Sequence, residues 1–413
     1  MQVAVMGFGT VGSGVVELMD KNRDSIVERS GQNSLEVKYI LDIRDFPDSI
    51  YKDKLVKDFN VILNDDDVKI VVETMGGLKP AYEFVKKCLE KGKSVVTSNK
   101  ELVAQKGFEL LETARKNNAN FLFEASVGGG IPIIRPLSQC LAANEIDEIA
   151  GILNGTTNFI LTKMINEGES FDSALKTAQE LGYAEKDPTA DVEGHDACRK
   201  ICILASLAYG RHIYPEFVSC EGITKISLAD VAYAKSRGYV IKLIANAKRM
   251  PDGKISACVG PAFVREHSQL GSVEDVFNAI LVRGNATGDV IFYGKGAGKL
   301  PTASAVVADV IDCAKHTQRP KAFGWKQDGD ASCVEDPGKV TDSFYIRALT
   351  ADREKTVSAL NDKIGALSVL SRQGADENEL AVITNPVERA RLDEALKSIS
   401  GLDVKSVIRI TDY

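Results

Sequence analysis

Residues 2–21 read QVAVMGFGTVGSGVVELMDK. The apolar run at the start of this segment predicts a short buried strand, and the part after residue 10 predicts a helix. The glycines between them form the pattern G-x-G-x-x-G in the strand–turn–helix context of a dinucleotide-binding site. Gly7 permits a tight turn, Gly9 lets the backbone approach a pyrophosphate, and Gly12 allows close packing of helix on strand. The helix N-terminus would face the phosphates, although a plain strand–helix turn is the alternative. The predicted cofactor contacts are Gly7, Phe8, Gly9, Thr10, Val11 and Gly12.

Strands and helices alternate from this motif up to about residue 127. This alternation predicts a Rossmann-like, doubly wound parallel sheet. Ligands of such sheets lie beyond the carboxyl ends of the strands. Four polar residues fall at predicted strand ends and become site candidates: Thr74, Ser98, Asn99 and Lys100.

The end of the second predicted strand bears on cofactor choice. Asp42 could bind the adenosine ribose of NAD, whereas Arg44 could hold the 2′-phosphate of NADP. The sequence therefore leaves both NAD and NADP open.

A run of glycines at 128–130, followed by Pro132, predicts a hinge between domains. The segment after it predicts a helix over 131–142, then a strand, then a helix opened by Gly155-Thr156-Thr157-Asn158. Strand patterns dominate 213–292, which indicates an open, largely antiparallel sheet and an α+β domain. A second glycine loop at 294–304 could close over the cofactor or could be a plain loop–helix junction.

Residues 180–209 read ELGYAEKDPTADVEGHDACRKICILASLAY, with a polar, acidic first part and a helical last part. Asp191 is the expected N-cap of this helix. Asp196 and Lys200 are four residues apart, so both project from one helix face. The residues after Lys200 are apolar, so this lysine heads into a core and needs a partner or a role. The alternative is an exposed ion pair of little consequence.

The last part of the chain has a different pattern. Residues 317–340 are rich in proline, glycine and charge, which predicts a linker. Residues 341–413 follow the order βαββαβ, which is a ferredoxin-like unit. Because this unit carries little chemistry, a regulatory or subunit-pairing module is the expected role.

The composition limits the classes of function. The chain has 413 residues, a net charge of −7, 44% apolar and 26% charged residues. The acidic balance argues against nucleic-acid binding, and the absence of a membrane-length apolar run argues against a membrane partner. Eight cysteines without a CxxC pattern and four histidines without HxxxH indicate reduced thiols, no zinc site and a cytoplasmic location.

Several long motifs resemble homoserine dehydrogenase in its longer form with a C-terminal ACT domain. They are VAVMGFGTVGSGVV, VVTSNKELVA, FEASVGGGIPIIRPL, GILNGTTNFIL, GYAEKDPTADVEGHDACRK and YGKGAGKLPTASAVVADV. The resemblance implies NAD(P)-dependent interconversion of L-homoserine and L-aspartate 4-semialdehyde, on the route to threonine and methionine. It also implies a homodimer or homotetramer.

The resemblance divides the chain into parts with separate tasks. Residues 1–130, completed by helix 300–316, would bind the dinucleotide. Residues 131–299 would bind substrate, carry out catalysis and form the dimer. Residues 317–340 would be the linker and 341–413 the ACT-like domain.

Residue roles follow from the same resemblance. Lys200 would exchange the proton of the substrate hydroxyl beside Asp196, and Lys100 would lie near both substrate and nicotinamide. A positive lysine beside that oxygen would stabilise the developing alkoxide. The resemblance implies substrate contacts from Glu185, Asp191, Thr156 and Tyr183, a cofactor contact from Gly298, and sodium bound by the carbonyls of Glu124, Val127, Gly129 and Ile131.

One departure from the family pattern concerns regulation. ACT domains that bind an amino acid usually carry an Asp-x-Pro-Gly-type turn after the first strand, whereas residues 351–356 read ADREKT. The sequence therefore leaves open three roles for the module: binding threonine, pairing subunits without a ligand, or binding nothing.

Two other functions fit parts of the pattern. Aspartate-semialdehyde dehydrogenase chemistry needs a cysteine nucleophile with a histidine base, and no cysteine lies in a glycine-rich strand-end loop. A catalytically silent protein that senses nucleotide and amino acid is the alternative from a different class. The intact Lys100, Glu185, Asp196 and Lys200 argue against it.

Overall fold

The computed structural model describes residues 1–318 and 320–413. They form two compact units, each assembled from separate stretches of the chain. The first unit contains Met1–Asn144, Cys202–Pro215 and Gly294–Gly329, and the second contains Glu145–Ile201, Glu216–Tyr293 and Asp330–Tyr413.

The first unit is built around a six-stranded sheet. Its elements up to residue 144 are β1 (Gln2–Met6), α1 (Thr10–Lys21), α2 (Arg23–Ser30), β2 (Glu36–Leu41), β3 (Leu55–Val56), α3 (Phe59–Leu63), β4 (Val68–Glu73), α4 (Ala81–Glu90), β5 (Ser94–Thr97), α5 (Lys100–Lys116) and β6 (Phe121–Leu122). The strand order is β3-β2-β1-β4-β5-β6 and every pair is parallel. The order reverses between β1 and β4, and ligands of open parallel sheets bind in the crevice at such a point. The predicted parallel nucleotide-binding sheet is confirmed.

The middle of the chain supplies most of the second unit. Its elements are β7 (Ile146–Ile152), α6 (Gly155–Glu167), α7 (Phe171–Glu180), α8 (Thr189–Val192), α9 (His195–Tyr209), β8 (Ser219–Cys220), α10 (Leu228–Lys235), β9 (Tyr239–Arg249), β10 (Ile255–Arg265), β11 (Phe277–Gly284) and β12 (Gly288–Lys295). The first unit takes the part of α9 from Cys202 onward, the end of β12 from Gly294 onward and the next helix, α11 (Lys299–Lys315). There Ala303, Val306 and Val310 are buried in the same core as β1 and α1.

The C-terminal segment continues the sheet of the second unit. Its elements are β13 (Thr341–Leu349), α12 (Arg353–Ile364), β14 (Leu367–Leu370), β15 (Glu379–Thr384), β16 (Val387–Glu388), α13 (Arg389–Lys397) and β17 (Asp403–Thr411). The sheet has eleven strands, in the order β12-β11-β7-β9-β10-β17-β13-β15-β14, with β8 on β10 and β16 on β13. Strand β17 joins β10 in parallel through Ala262–Arg409, Phe263–Ile410 and Val264–Thr411. The segment therefore has the predicted order of elements, apart from the added β16, and shares one sheet with the middle of the chain.

Two local predictions differ from the structure. The helix expected over 131–142 is shorter and covers 134–140, with a π-type segment at Pro136–Cys140, because Pro136 has no N–H group to bond the carbonyl four residues earlier. Asp191 is not the N-cap of α9, since it lies inside α8 and Gly194, at φ +81°, separates the two helices. In the described ranges, no helix combines the length and the apolar character needed to cross a membrane.

Candidate active site

The glycine loop after β1 has a shape that the surrounding backbone enforces. Gly7 adopts φ +96°, and a Cβ there would lie 2.9 Å from the carbonyl carbon of Thr74. A Cβ on Gly12 would lie 1.9 Å from the Gly7 oxygen and 2.7 Å from Thr74 Oγ1. The Thr74 hydroxyl donates to the Gly7 carbonyl at 3.0 Å. Thr74 therefore stabilises the turn at Gly7 that leads into the N-terminus of α1.

Asp42 is saturated by protein donors. Its Oδ1 accepts hydrogen bonds from Arg44 N (2.9 Å) and Nε (3.0 Å), and its Oδ2 accepts from Phe8 N (2.7 Å) and Arg44 Nη2 (2.9 Å). The side-chain hydrogen bond from Arg44 holds the pKa of Asp42 well below its usual range. A carboxylate has about four acceptor sites, so Asp42 keeps no acceptor for a ribose hydroxyl while Arg44 stays in place.

A buried carboxylate organises the ends of β4 and β5. Glu73 is fully buried and accepts hydrogen bonds from Met75 N (2.8 Å), Gly76 N (3.2 Å) and Thr97 Oγ1 (2.6 Å). Asn99 Nδ2 donates to the Gly77 carbonyl at 2.6 Å, which joins the two strand-end loops. Ser98 and Lys100 follow β5 directly, and Lys100 is the first residue of α5. The predicted residues Thr74, Ser98 and Lys100 therefore belong to one edge of the sheet.

The second glycine loop packs within the first unit. Gly130 N donates to the Lys295 carbonyl at 3.1 Å, and a Cβ on Gly129 would lie 2.3 Å from the Gly296 oxygen. Gly298, at φ +125°, precedes α11. Lys299 on that helix pairs with Glu17 of α1 at 2.7 Å. The loop and its helix therefore pack against the elements that form the glycine loop after β1.

The segment proposed for sodium turns around Glu124. The buried Glu124 carboxylate accepts hydrogen bonds from three successive backbone N–H groups, those of Ile133, Ile134 and Arg135, at 2.7–2.9 Å. Within the described ranges, the buried carbonyl oxygens of Val127, Gly129 and Ile131 accept no hydrogen bond. Buried carbonyls normally have a partner, so these three oxygens keep unused acceptor capacity.

A lysine and an aspartate form a buried pair on α9. Lys200 Nζ lies 2.8 Å from Asp196 Oδ2, and both side chains are more than nine-tenths buried. Lys200 also donates to the Leu153 carbonyl at 2.7 Å. The exposed ion pair considered from the sequence is therefore excluded.

Asn154 joins this pair to a second carboxylate. Its Nδ2 donates to Asp191 Oδ1 at 2.7 Å and to Asp196 Oδ2 at 2.9 Å. Its Oδ1 accepts from Thr157 N at 2.9 Å, so Asn154 is also the N-cap of α6. One amide thus fixes the start of a helix and holds Asp191 beside Asp196.

The other predicted substrate residues lie on neighbouring segments. Thr156 Oγ1 donates to the Tyr183 carbonyl at 2.7 Å. The Tyr183 ring is 45% exposed and packs edge-on against Phe159, with the centroids 5.1 Å apart. Glu185 is exposed, and its backbone carbonyl accepts from Gln179. The structure therefore pairs Lys200 with Asp196 and connects Asp191 to this pair through Asn154. It also links Thr156 to Tyr183 and leaves Glu185 exposed at the surface.

Two residues of this arrangement were missed from the sequence. Asn154 precedes the Gly-Thr-Thr-Asn helix start, so its N-cap role was visible in the sequence, but its two acidic partners come 37 and 42 residues later. Glu73 was read only as part of a strand. Across residues 1–318 and 320–413, no group of three or more His, Cys, Asp and Glu side chains could hold a metal ion. A buried lysine beside a carboxylate is instead suited to move a proton.

Comparisons with known proteins agree along the whole chain. Residues 7–124 match the family model "Homoserine dehydrogenase, NAD binding domain", and residues 132–311 match the model "Homoserine dehydrogenase". The homoserine dehydrogenase of Synechocystis is 39% identical, covering 99% of this chain and 99% of that protein.

Solved structures give the same result. A homoserine dehydrogenase from Thiobacillus denitrificans superposes with a TM-score of 0.89 at 33% identity and covers 100% of this chain and 98% of that chain. A hyperthermophilic archaeal homoserine dehydrogenase in complex with NADPH has a TM-score of 0.63 at 31% identity, covering 76% of this chain and 97% of that one.

Proposed function

This chain belongs to the homoserine dehydrogenase family, and from that membership we propose how its residues carry out the reaction. It is an NAD(P)-dependent oxidoreductase of amino-acid biosynthesis that interconverts L-homoserine and L-aspartate 4-semialdehyde. When bound, the nicotinamide supplies the hydride acceptor or donor at its C4. The residues of the chain must bind the amino acid and move the hydroxyl proton. The observation that carries the proposal is the cluster of Asn154, Asp191, Asp196 and Lys200.

Lys200 is the proposed proton-transfer group. Its Nζ would lie against the substrate hydroxyl, and its charge would stabilise the alkoxide as the carbon loses hydride. In the reductive direction the ammonium form of Lys200 gives a proton to the carbonyl oxygen as hydride arrives. In the oxidative direction the neutral amine takes the O–H proton and so gains the positive charge as hydride leaves. Asp196 keeps the amine in place at 2.8 Å. Lys100 is the second proposed catalytic residue, at the nucleotide edge of the first unit.

The carboxylates are proposed to hold the amino group of the substrate. Asp191 is fixed by Asn154 at 2.7 Å, and Glu185 is exposed on the same chain segment. An ammonium group prefers carboxylate partners that are already oriented. Thr156 and Tyr183 would complete the contacts with the substrate.

The cofactor is proposed to be NADP. Both oxygens of Asp42 are filled, while the Arg44 side chain is 59% exposed. Its Nη2 lies 3.8 Å from the position that a Gly9 Cβ would occupy, so the guanidinium borders the glycine loop. An arginine there suits a 2′-phosphate. Lys57 donates to the carbonyls of Ile43 and Arg44 and adds positive charge nearby.

Replacing Arg44 with alanine should shift the preference toward NAD. Loss of the guanidinium removes a charged contact with the 2′-phosphate, which should lower kcat/KM for NADP about 10- to 100-fold. The same change releases the acceptors of Asp42 for ribose hydroxyls, so kcat/KM for NAD should rise. Steady-state rates with both cofactors test this expectation. Arg115→Ala, at an exposed ion pair on α5, is the control, and an unchanged NADP/NAD ratio in the Arg44 variant would count against NADP.

Asn154 is both the N-cap of α6 and the hydrogen-bond donor to Asp191 and Asp196. Replacing it with serine should keep the first role and remove the second. Serine is about as good an N-cap as asparagine, so the melting temperature should change little. Serine cannot donate to both Asp191 and Asp196, so kcat/KM for homoserine should fall about 10- to 100-fold through the lost charged hydrogen bonds. Ser170→Ala, which removes the N-cap of α7, is the reverse control and should lower stability without lowering kcat/KM. Equal activity of Asn154→Ser and the unmodified protein would exclude a positioning role.

A sodium ion is proposed at the carbonyls of Glu124, Val127, Gly129 and Ile131. Three of these carbonyls are buried without a hydrogen bond in the described ranges. A Cβ on Gly128 would lie 2.3 Å from the Ile131 oxygen, so a side chain there would displace a proposed ligand. A monovalent cation would fix the loop between Glu124 and the second glycine loop.

The C-terminal segment is proposed to be an ACT-like module that pairs subunits. In its first loop Asp352 caps α12, and the Thr350 and Thr356 hydroxyls bond to each other at 2.8 Å. This loop has no Pro-Gly turn, so we do not assign a threonine site to it.

The exposed edge of the long sheet supports a homodimer or homotetramer. The sheet ends at β12, where Ile291 and Tyr293 are 40% and 57% exposed, and an exposed edge strand can pair with another chain. The division into segments 1–130 with 300–316, 131–299, 317–340 and 341–413 remains our functional assignment.

The cytoplasm is the proposed location. No disulfide joins the cysteines in the part of the chain that the structure describes, and reduced thiols are typical of that compartment.

The deciding experiment measures the initial rate of L-homoserine oxidation with NAD and NADP in parallel, each with and without threonine. Turnover that depends on homoserine and is faster with NADP supports the proposal. A flat response to threonine supports a pairing role for the C-terminal module. Absence of turnover with either cofactor, in sodium and in potassium buffer, would favour the silent sensing protein.

A further inference from the structure

A buried carboxylate lies at the edge of the six-stranded sheet where the cofactor contacts are proposed. Glu73 is the last residue of β4, and its side chain is fully buried. It accepts hydrogen bonds from three neutral donors: Met75 N at 2.8 Å, Gly76 N at 3.2 Å and Thr97 Oγ1 at 2.6 Å. Burial raises the pKa of Glu73, against the opposing effect of these donors. Because burying an acid is costly, an acid at this place indicates a task that an apolar side chain could not perform.

The two carboxylate oxygens of Glu73 bind two different segments of the chain. Oε1 accepts from Met75 and Gly76, in the loop after β4, and Oε2 accepts from Thr97 at the end of β5. A glutamine has one oxygen and one NH2 group. Turned one way, its NH2 group would face the two backbone N–H groups. Turned the other way, it would face the Thr97 hydroxyl, whose proton would lose its acceptor. The contacts therefore require an acceptor on both sides, which a carboxylate provides.

Thr97 connects Glu73 to the residues that begin α5. Its hydroxyl oxygen also accepts a hydrogen bond from Asn99 N at 2.9 Å. Asn99 is the N-cap of α5, and its Nδ2 donates to the Gly77 carbonyl at 2.6 Å. Lys100, the first residue of α5, follows directly. The backbone on the N-terminal side of Lys100 is therefore fixed by a continuous set of hydrogen bonds that begins at Glu73.

We propose that Glu73 is a positioning residue for Lys100 and acts through Thr97 and Asn99. The carboxylate keeps the proton of the Thr97 hydroxyl directed toward Glu73, which leaves the hydroxyl oxygen free to accept from Asn99 N. The turn between β5 and α5 then keeps one geometry, and the Lys100 side chain starts from a fixed backbone. A displacement of about 1 Å at a reacting group can cost about 100-fold in rate. Glu73 is fully buried, so it acts on the reaction only through Lys100, and this role rests on the catalytic function proposed for that lysine.

Steady-state oxidation of homoserine with NADP by the full chain tests the role of Glu73. Glu73→Gln should lower kcat about 10- to 100-fold. The KM for homoserine should change less than about threefold, because its proposed ligands belong to the second unit. Thr97→Val, which removes the hydroxyl, should have the same effect on kcat. Thr97→Ser, which keeps the hydroxyl, should retain most of the turnover that Thr97→Val loses.

Ser94→Ala is the matched control on the same strand. Ser94 is the first residue of β5, at the opposite end from Thr97, and its buried hydroxyl accepts from Asn120 N at 3.1 Å. This variant should lower the melting temperature while kcat stays near normal. Equal losses of kcat in Ser94→Ala and Thr97→Val would point to a general loss of stability and would overturn the proposal.

A double-mutant cycle with Lys100→Ala assigns the effect to that lysine. In the Lys100→Ala background, Glu73→Gln should lower kcat by less than about twofold, since the group that Glu73 positions is absent. An equal fall in both backgrounds, or normal kcat in Glu73→Gln alone, would overturn the positioning role and leave the role of Lys100 intact. Normal kcat in Lys100→Ala alone would instead remove that lysine from the proposed function, and the role of Glu73 with it. Should Glu73→Gln fail to fold, Thr97→Val carries the same cycle.

Discussion

Replacing Lys200 with alanine should lower kcat for homoserine oxidation by about 10³-fold, the typical contribution of a positioned acid–base group. The lysine is buried and bonds to Asp196 at 2.8 Å. Alanine has no amine that could take over this proton transfer. The dissociation constant for NADP should stay within about twofold of normal, because the proposed phosphate contacts come from the first unit. Stopped-flow turnover and fluorescence titration of the cofactor measure the two quantities separately.

A buried lysine elsewhere provides the control for folding effects. Lys242 is 2% exposed and donates to the Val273 carbonyl, but it is not part of the Asn154 cluster. Lys242→Met should lower the melting temperature while keeping kcat near normal. Retention of kcat in Lys200→Ala, or an equal loss in Lys242→Met, would remove Lys200 from the mechanism.

The nucleotide-binding half was predictable because its signals are local. The turn, the approach of Gly9 and the helix start all lie within the segment from Gly7 to Gly12, and the strand alternation that follows repeats at short range. Asp42 and Arg44 were both identified from the sequence, but the sequence could not show that Arg44 occupies the carboxylate oxygens of Asp42. This is seen only from the four hydrogen bonds that the Asp42 carboxylate accepts in the folded chain.

The substrate half was less predictable because its contacts are long-range. Asn154 carries an ordinary N-cap signal, and nothing near it in the chain reveals that its amide bridges Asp191 and Asp196. The family resemblance implied roles for Asp191 and Asp196, but it did not indicate that Asn154 holds these two side chains together. Glu73 was missed for a similar reason, because a buried acid at the end of a strand resembles any strand residue until its donors are known.

The C-terminal segment illustrates a third limit. Periodicity predicted its elements, but strand pairing between β17 and β10 depends on edges that only meet in the folded chain. The helix over 131–142 is shorter than predicted for the opposite reason, since apolar spacing was given more weight than Pro136, which lacks the backbone N–H group. A missing backbone N–H group limits a helix locally, whereas the pairing of an edge strand depends on residues that are distant in the sequence.

Replacing Gly12 with alanine should damage both folding and cofactor binding, whereas Gly9→Ala should damage cofactor binding alone. A Cβ at Gly12 would lie 1.9 Å from the Gly7 oxygen, so α1 must move away from β1, at a cost of about 1–3 kcal/mol for overpacking. Among the described residues other than the chain neighbours of Gly9, the nearest atom to a Cβ there is Arg44 Nη2, at 3.8 Å. Any need for glycine at position 9 must therefore come from the pyrophosphate.

Thermal unfolding without cofactor should separate the two variants, with Gly9→Ala melting near the normal temperature and Gly12→Ala several degrees lower. NADP titration should show at least about tenfold weaker binding in both. Normal NADP affinity in Gly9→Ala would mean that the loop does not contact the pyrophosphate as we propose.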